Sequence, residues 1–122
     1  MTNARIDIGK RGELLAVDFL KKNGYKILEN NFRCRYGEID IIAIEGKAIA
    51  FVEVKTKTNN AFGPPKTAVD LRKQRQLSKA ALAYLTQKNL NAHPARFDVV
   101  GITIRENKNE IELIKSAFEL CF

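Results

Sequence analysis

The sequence predicts an α/β fold, a mixed sheet of about five strands in the chain order α-β-β-β-α-β-β, flanked by helices. Three features point to it. Two stretches carry apolar residues at helical spacing, three strand-like runs joined by tight turns lie between them, and the second helical stretch is long enough to bring the next strand back parallel. With 122 residues, 45% of them hydrophobic and 29% charged, the chain can bury one core, so residues 1–122 are expected to form a single domain.

The first helix is expected from Ile8 to Asn23, with Ile8, Leu15, Ala16, Phe19 and Leu20 on one face and Gly24 placed to stop it. Tyr25–Arg33 reads as a strand, Arg35-Tyr36-Gly37 as a turn, Glu38–Glu45 as a second strand, Gly46-Lys47 as a tight turn and Ala48–Thr56 as a third strand. Asn59–Pro65 is a loop by composition, because Pro64 and Pro65 lack donors. Thr67–Lys88 is the second helix, its apolar stripe formed by Val69, Leu77, Ala80, Ala81, Tyr84 and Leu85. Asn89–Ala95 is a loop, Arg96–Ile104 a fourth strand and Glu110–Ile114 a fifth. The link through the second helix has the form of a βαβ crossover, so strands three and four are expected to be parallel.

Twenty-one basic against fourteen acidic side chains leave a formal charge of +7, which favours polyanionic partners. The surplus is concentrated: residues 61–90 hold Lys66, Arg72, Lys73, Arg75, Lys79 and Lys88 against Asp70 alone. A charge run of this kind also serves simply to solvate a helix face. Cys34 and Cys121 are too few and too far apart for a disulfide framework or a thiolate metal site, which suits a reducing cytoplasm. No apolar run is long enough to span a bilayer, so no membrane partner is expected. His93 stands alone in a loop, Ser78 has no activating partner, and no glycine-rich phosphate loop follows a strand; serine nucleophile chemistry and ATP hydrolysis are set aside.

The chemistry concentrates on strands two and three. In Phe51-Val52-Glu53-Val54-Lys55, alternation puts Glu53 and Lys55 on one face. In Gly37-Glu38-Ile39-Asp40, Glu38 and Asp40 share a face just before the apolar run Ile41–Ile44. A hairpin centred between Gly46 and Lys47 sets Asp40 opposite Glu53. Facing carboxylates repel unless a cation lies between them, and hard oxygen donors suit Mg²⁺ or Mn²⁺. Taken singly, E-x-K is a common tripeptide whose plainer reading is a solvated ion pair.

Together these residues resemble the PD-(D/E)xK nuclease superfamily, within it the archaeal Holliday-junction resolvases and, most closely, the bacterial YraN family. The likeness runs through Gly9-Lys10-Arg11-Gly12-Glu13, Gly24-Tyr25, Asn31-Phe32-Arg33, Gly37-Glu38-Ile39-Asp40, Phe51-Val52-Glu53-Val54-Lys55, Phe62-Gly63 and Arg96-Phe97-Asp98-Val99. It implies a restriction-endonuclease-like sheet and a Mg²⁺- or Mn²⁺-dependent endonuclease acting on DNA in preference to RNA, with branched structures as one substrate class. Asp40 and Glu53 would be metal ligands with the Val54 carbonyl, and Lys55 would position the attacking water or stabilise phosphate charge. Ile39 stands where the superfamily has Pro. Glu13 resembles the extra acidic residue that resolvase-like members bring from their first helix; it equally fits a surface glutamate favoured by the helix dipole.

Lys73, on the apolar stripe of the second helix, or Gln74 beside it, is expected to reach the substrate phosphate, the alternative being a lysine that snorkels out of the core edge. Arg72 and Arg75 suit non-specific phosphate contacts, as does Lys79. Arg33 and Arg35 fit either a phosphate clamp or a structural salt bridge to Asp98 or Glu29. A nucleic-acid-binding or assembly module without cleavage activity is the alternative function, and a protein-interaction scaffold a third. Resolvase-like relatives act as pairs, so the resemblance admits a homodimer, although no dimer signal is legible.

Overall fold

A computed structural model describes residues 4–58 and 69–122, side chains included from Ile8 onward. The elements are α1 (Ala4–Lys22), β1 (Lys26–Cys34), β2 (Gly37–Glu45), β3 (Ala48–Thr58), α2 (Leu71–Gln87), β4 (Ala95–Ile104) and β5 (Asn109–Phe118). The α/β order expected from the sequence is the one observed. The expected loop over Asn59–Pro65, and residues 66–68 at the expected helix start, lie outside the described residues.

The strands form one mixed sheet ordered β1-β2-β3-β4-β5. The β1–β2, β2–β3 and β4–β5 pairs are antiparallel, and β3–β4 is parallel across the crossover through α2. Alternation along the strands divides the apolar residues between the two faces. Ile42, Ile49, Phe51, Phe97 and Val99 pack with Leu77, Ala80, Ala81, Tyr84 and Leu85 of α2. Ile41, Ala43, Ala50, Val52, Val100 and Ile102 pack with Ala16 and Leu20 of α1. Each helix thus covers one face, which is why the central strands read as nearly continuous apolar runs. Tyr84 anchors the α2 side, its ring edge-on to Phe32 and Phe51, a geometry that aromatic quadrupoles favour.

Local chemistry sets the helix ends. At the close of α1, Gly24 adopts φ +89, and the Tyr25 amide donates to the Leu20 carbonyl while that of Gly24 donates to Lys21. This left-handed cap needs a residue without Cβ strain and aims Tyr25 back into the core. The second helix begins at Leu71, later than the expected Thr67, because the Asp70 carboxylate accepts from the Lys73 amide as N-cap. Val69 lies before the helix yet is buried, so it belongs to the core and not to the helical repeat. Both helices end one residue before the expected boundary, α1 begins at Ala4, and β1 lies one residue later than expected, whereas β3 runs to Thr58 beside β4 and β5 continues to Phe118 through pairing of Phe97 with Phe118. In β3 and β5, pairing with the neighbouring strand, invisible in the sequence, supplies the extra residues. Among the described residues no helix is long and apolar enough to cross a membrane.

Candidate functional site

The β2–β3 hairpin has the register that the Gly46-Lys47 turn implies, with Ile44 opposite Ile49, Ile42 opposite Phe51 and Ile41 opposite Val52. The backbone ladder ends there. Two residues beyond Val52, the Val54 amide donates 2.8 Å to Asp40 Oδ2, so a side chain takes a donor at the point where the strands part. Beyond this fork β3 continues beside β4 alone.

Asp40 and Glu53 meet at the fork, close enough that each carboxyl group shifts the titration of the other. Glu53 is only 6% exposed. Burial first, and then the charge of Asp40, push its pKa up to about 7, against the opposing pull of Lys73 and Lys55. Asp40 is also raised, chiefly by burial, with the Val54 amide acting against the shift. Lys55 Nζ lies 3.5 Å and Lys73 Nζ 3.8 Å from Glu53 Oε2. Lys73 therefore does reach a polar group from the α2 stripe, and that group is the buried glutamate.

An open cleft of about 690 Å³ lies over the fork, lined by Ile8, Gly9 and Glu13 of α1, by Asp40, and by the Glu53–Thr58 end of β3. Burial and the charges of Asp40 and Glu38 raise the Glu13 pKa, and a hydrogen bond from the Asn31 side chain opposes them. The close seating of α1 depends on Gly12: a Cβ there would come 1.9 Å from Thr56 Oγ1. We expect Gly12→Ala to lower stability by about 1–3 kcal/mol, measured by urea denaturation, and Thr56→Ala in that background to recover part of the loss. Equal stability of Gly12→Ala and the parent chain would show that α1 is free to shift.

The remaining basic residues are more dispersed. Arg72 and Arg75 are exposed on α2. Gln74 donates from its side-chain amide to the Val69 carbonyl, at the start of the helix. Arg33 pairs with Glu38 at 2.7 Å and Arg35 donates to the Tyr36 hydroxyl, so the salt bridges considered for them to Asp98 or Glu29 are not the ones formed. Among the described residues no three Asp, Glu, His or Cys side chains are gathered closely enough to hold a metal on their own. The donor set is the Asp40–Glu53 pair, two acidic groups drawn together in a place where only a proton or a cation relieves their repulsion, and in this respect it fits a hard divalent ion.

A second polar cluster lies toward the start of β3; the sequence marks Asp98 as a strand-start carboxylate with a structural partner, but not the groups that partner it. Asp98 is wholly buried and accepts from Tyr25 Oη at 2.8 Å, from Arg96 Nε at 3.0 Å and from the Ser116 amide at 2.9 Å. Arg96 also donates to Tyr25 and Glu45, and Lys115 closes the set at 2.9 Å from Glu45. Lys115 and Arg96 hold the Glu45 carboxyl below its usual range, whereas burial and Asp98 raise the Tyr25 phenol. The available signal was Arg96 and Asp98 sharing one face of a strand otherwise apolar, since such charges need partners.

Residues 12–102 match the model of the uncharacterised protein family UPF0102. A UPF0102 protein of Geobacter metallireducens is 54% identical over 115 residues, covering 94% of each chain. One from Geotalea uraniireducens is 56% identical over 116 residues, 94% of this chain and 91% of its own. A third, from Thermodesulfovibrio yellowstonii, is 48% identical over 115 residues, 94% of this chain and 98% of its own. Matches of this identity over 94% of the chain, together with the family model, mean that the chain belongs to UPF0102, the YraN-like family that its motifs resemble.

Proposed function

We propose that this chain is a divalent-metal-dependent, endonuclease-like protein of the PD-(D/E)xK type that binds and cleaves nucleic-acid phosphodiesters, with DNA, branched DNA included, as its substrate class. The observation that carries this reading is the placing of Asp40 beside buried Glu53 where the β2–β3 ladder ends, with the Lys55 ammonium 3.5 Å from Glu53. Buried like charges are costly unless a ligand uses them. Mg²⁺ or Mn²⁺ would be held by Asp40 and Glu53, with the Val54 carbonyl and Glu13 as further donors. Such an ion supplies positive charge against the phosphate oxygens and makes water more acidic.

The chain's own groups do the rest. Lys55 neutralises charge developing on the phosphate and orients the attacking water. Lys73, held over the same glutamate by α2, binds an adjacent phosphate oxygen. Arg72 and Arg75 extend the positive surface along the exposed side of α2 for backbone contacts that carry no sequence information. Arg33 and Arg35 serve at the edge of this surface, Arg33 only by leaving Glu38.

Labelled linear, flapped, four-way and single-stranded substrates incubated with Mg²⁺ or Mn²⁺ test the proposal. We expect cleavage of at least one of them, reduced about 100-fold or more by Lys55→Ala and lost with Asp40→Ala. Absence of cleavage, or cleavage that survives Asp40→Ala, overturns it. The second reading, a binding module without catalysis, draws on α2, which carries Arg72, Lys73, Arg75 and Lys79 and no acidic residue. It predicts salt-sensitive nucleic-acid binding with no thermal shift on Mg²⁺ or Mn²⁺ titration.

A further inference from the structure

We infer that the open edge of β3 beyond the fork is a track for the sugar–phosphate backbone of the substrate, the Thr56 and Thr58 amides donating to successive phosphate oxygens; this rests on the nucleic-acid reading above. The ladder with β2 ends at the Ile41–Val52 pair, whereas pairing with β4 runs without a break in register to Thr58. The strand is therefore regular past the fork, and its backbone groups alternate in direction as they do before it. The Val54 amide points to the β2 side, where it donates to Asp40. By alternation the Thr56 and Thr58 amides point the same way, and those of Lys55 and Lys57 turn toward β4. Among the described residues no strand pairs with that stretch of edge.

The edge already holds one oxygen of an acidic group. Asp40 Oδ2 sits 2.8 Å from the Val54 amide, in the place that a partner strand's carbonyl would fill. The next two amides donate in the same direction about 6.6 Å apart, close to the spacing of phosphates along an extended nucleic-acid strand. Thr56 and Thr58, with Lys55 and Lys57, line the cleft of about 690 Å³ over the fork. Burial falls where this stretch begins: residues from Ile49 to Glu53 are buried, and those from Val54 to Thr58 are half-buried or exposed. An added peptide strand fits less well, because the Val54 amide is taken and the two open positions fall short of an ordinary strand of about five or six residues. Amide donors also read no base, so the track accepts a backbone of any sequence as it leaves the metal site.

Amide hydrogen exchange of the full chain, read residue by residue by NMR, tests the track without any variant. In the free chain Thr56 and Thr58 should exchange quickly, and Lys55 and Lys57 slowly. A hairpin DNA with a single-stranded tail is then added at about ten times its Kd, with Ca²⁺ as an oxygen-seeking ion of looser geometry than Mg²⁺. Exchange at Thr56 and Thr58 is expected to slow about tenfold. Thr58→Pro, a change that an edge position accommodates, removes one of the two amides. It should weaken hairpin binding about tenfold or more, with the salt dependence unchanged because no charge is lost. Thr58→Ala, which keeps the amide, should bind like the parent chain. Slow exchange at both threonines in the free chain, exchange unaffected by bound DNA, or equal affinities of Thr58→Pro and the parent chain overturns the inference and leaves the metal-dependent reading standing. A loss in Thr58→Ala that matches the loss in Thr58→Pro does the same. If the hairpin binds nowhere on the chain, in Ca²⁺ or in Mg²⁺, both fall.

Discussion

Asp40→Asn is expected to make the metal-free protein more stable at pH 8 while abolishing Mn²⁺ uptake and cleavage. The asparagine keeps an oxygen for the Val54 amide, which Asp40 now serves, and removes the charge that faces Glu53. Glu53 is then left with Lys55 and Lys73 as its charged neighbours. The pH dependence follows from the same contact. Glu53 titrates near 7 in the folded chain, above the ordinary glutamate value, so the folded state binds the proton more tightly than the unfolded chain does. This contribution is fully present below about pH 4.5 and is lost as pH rises through about 7. A shift of this size corresponds to about 3 kcal/mol, so metal-free stability should fall across that window in the parent chain and much less in Asp40→Asn.

Urea denaturation in EDTA at pH 5 and pH 8 checks this, and added Mn²⁺ should restore the parent chain at pH 8 but not the variant. If Asp40→Asn is instead less stable than the parent at pH 8, the pair is a structural hydrogen bond and not a site awaiting a cation.

Asp98→Ala should cost about 3–5 kcal/mol, the toll of stranding a buried charge after its partner is removed. The substitution leaves Arg96 Nε, the Tyr25 hydroxyl and the Ser116 amide without the carboxylate that now takes all three. These groups tie the end of α1 to β4 and β5, and through Glu45 to the end of β2, so the loss is felt over both helix and sheet. Replacing Arg96 by Met in the same chain should recover part of it, because neither charge then remains buried. Equilibrium unfolding of the two variants measures the difference. A cost below about 1 kcal/mol for Asp98→Ala would mean that water enters and replaces the carboxylate, and the cluster would then be no keystone.

Several features of this protein were readable one residue at a time. Alternation in Phe51–Lys55 and in Gly37–Asp40 named the faces, and the Gly46-Lys47 turn set the hairpin register, which the observed Ile41–Val52 and Ile42–Phe51 pairs match. The crossover form of the β3–α2–β4 segment foretold the parallel pair. Gly24 marked the end of α1, because the left-handed cap is a local demand on one residue.

Other features were beyond that reading. Val69 matched the helical repeat but packs from outside the helix, since the Asp70 cap outweighs apolar spacing. Arg33 had several acidic groups as candidate partners, and only the β1–β2 register selects Glu38. Nothing in the spacing of Tyr25 and Asp98 says that the one reaches the other across 73 positions of chain.

The sequence by itself determined the order of elements, the split of apolar residues between two faces and the opposition of Asp40 to Glu53. These follow from periods of two and 3.6 residues and from turn geometry, which act over a few neighbours. The tertiary structure alone decided that the strands part at Asp40, that Lys73 comes down onto Glu53, and that Asp98 is sealed by Arg96 and Tyr25. Those contacts depend on how two helices settle onto opposite faces of a twisted sheet, a matter of volume and close packing summed over the whole chain, and no local pattern encodes it.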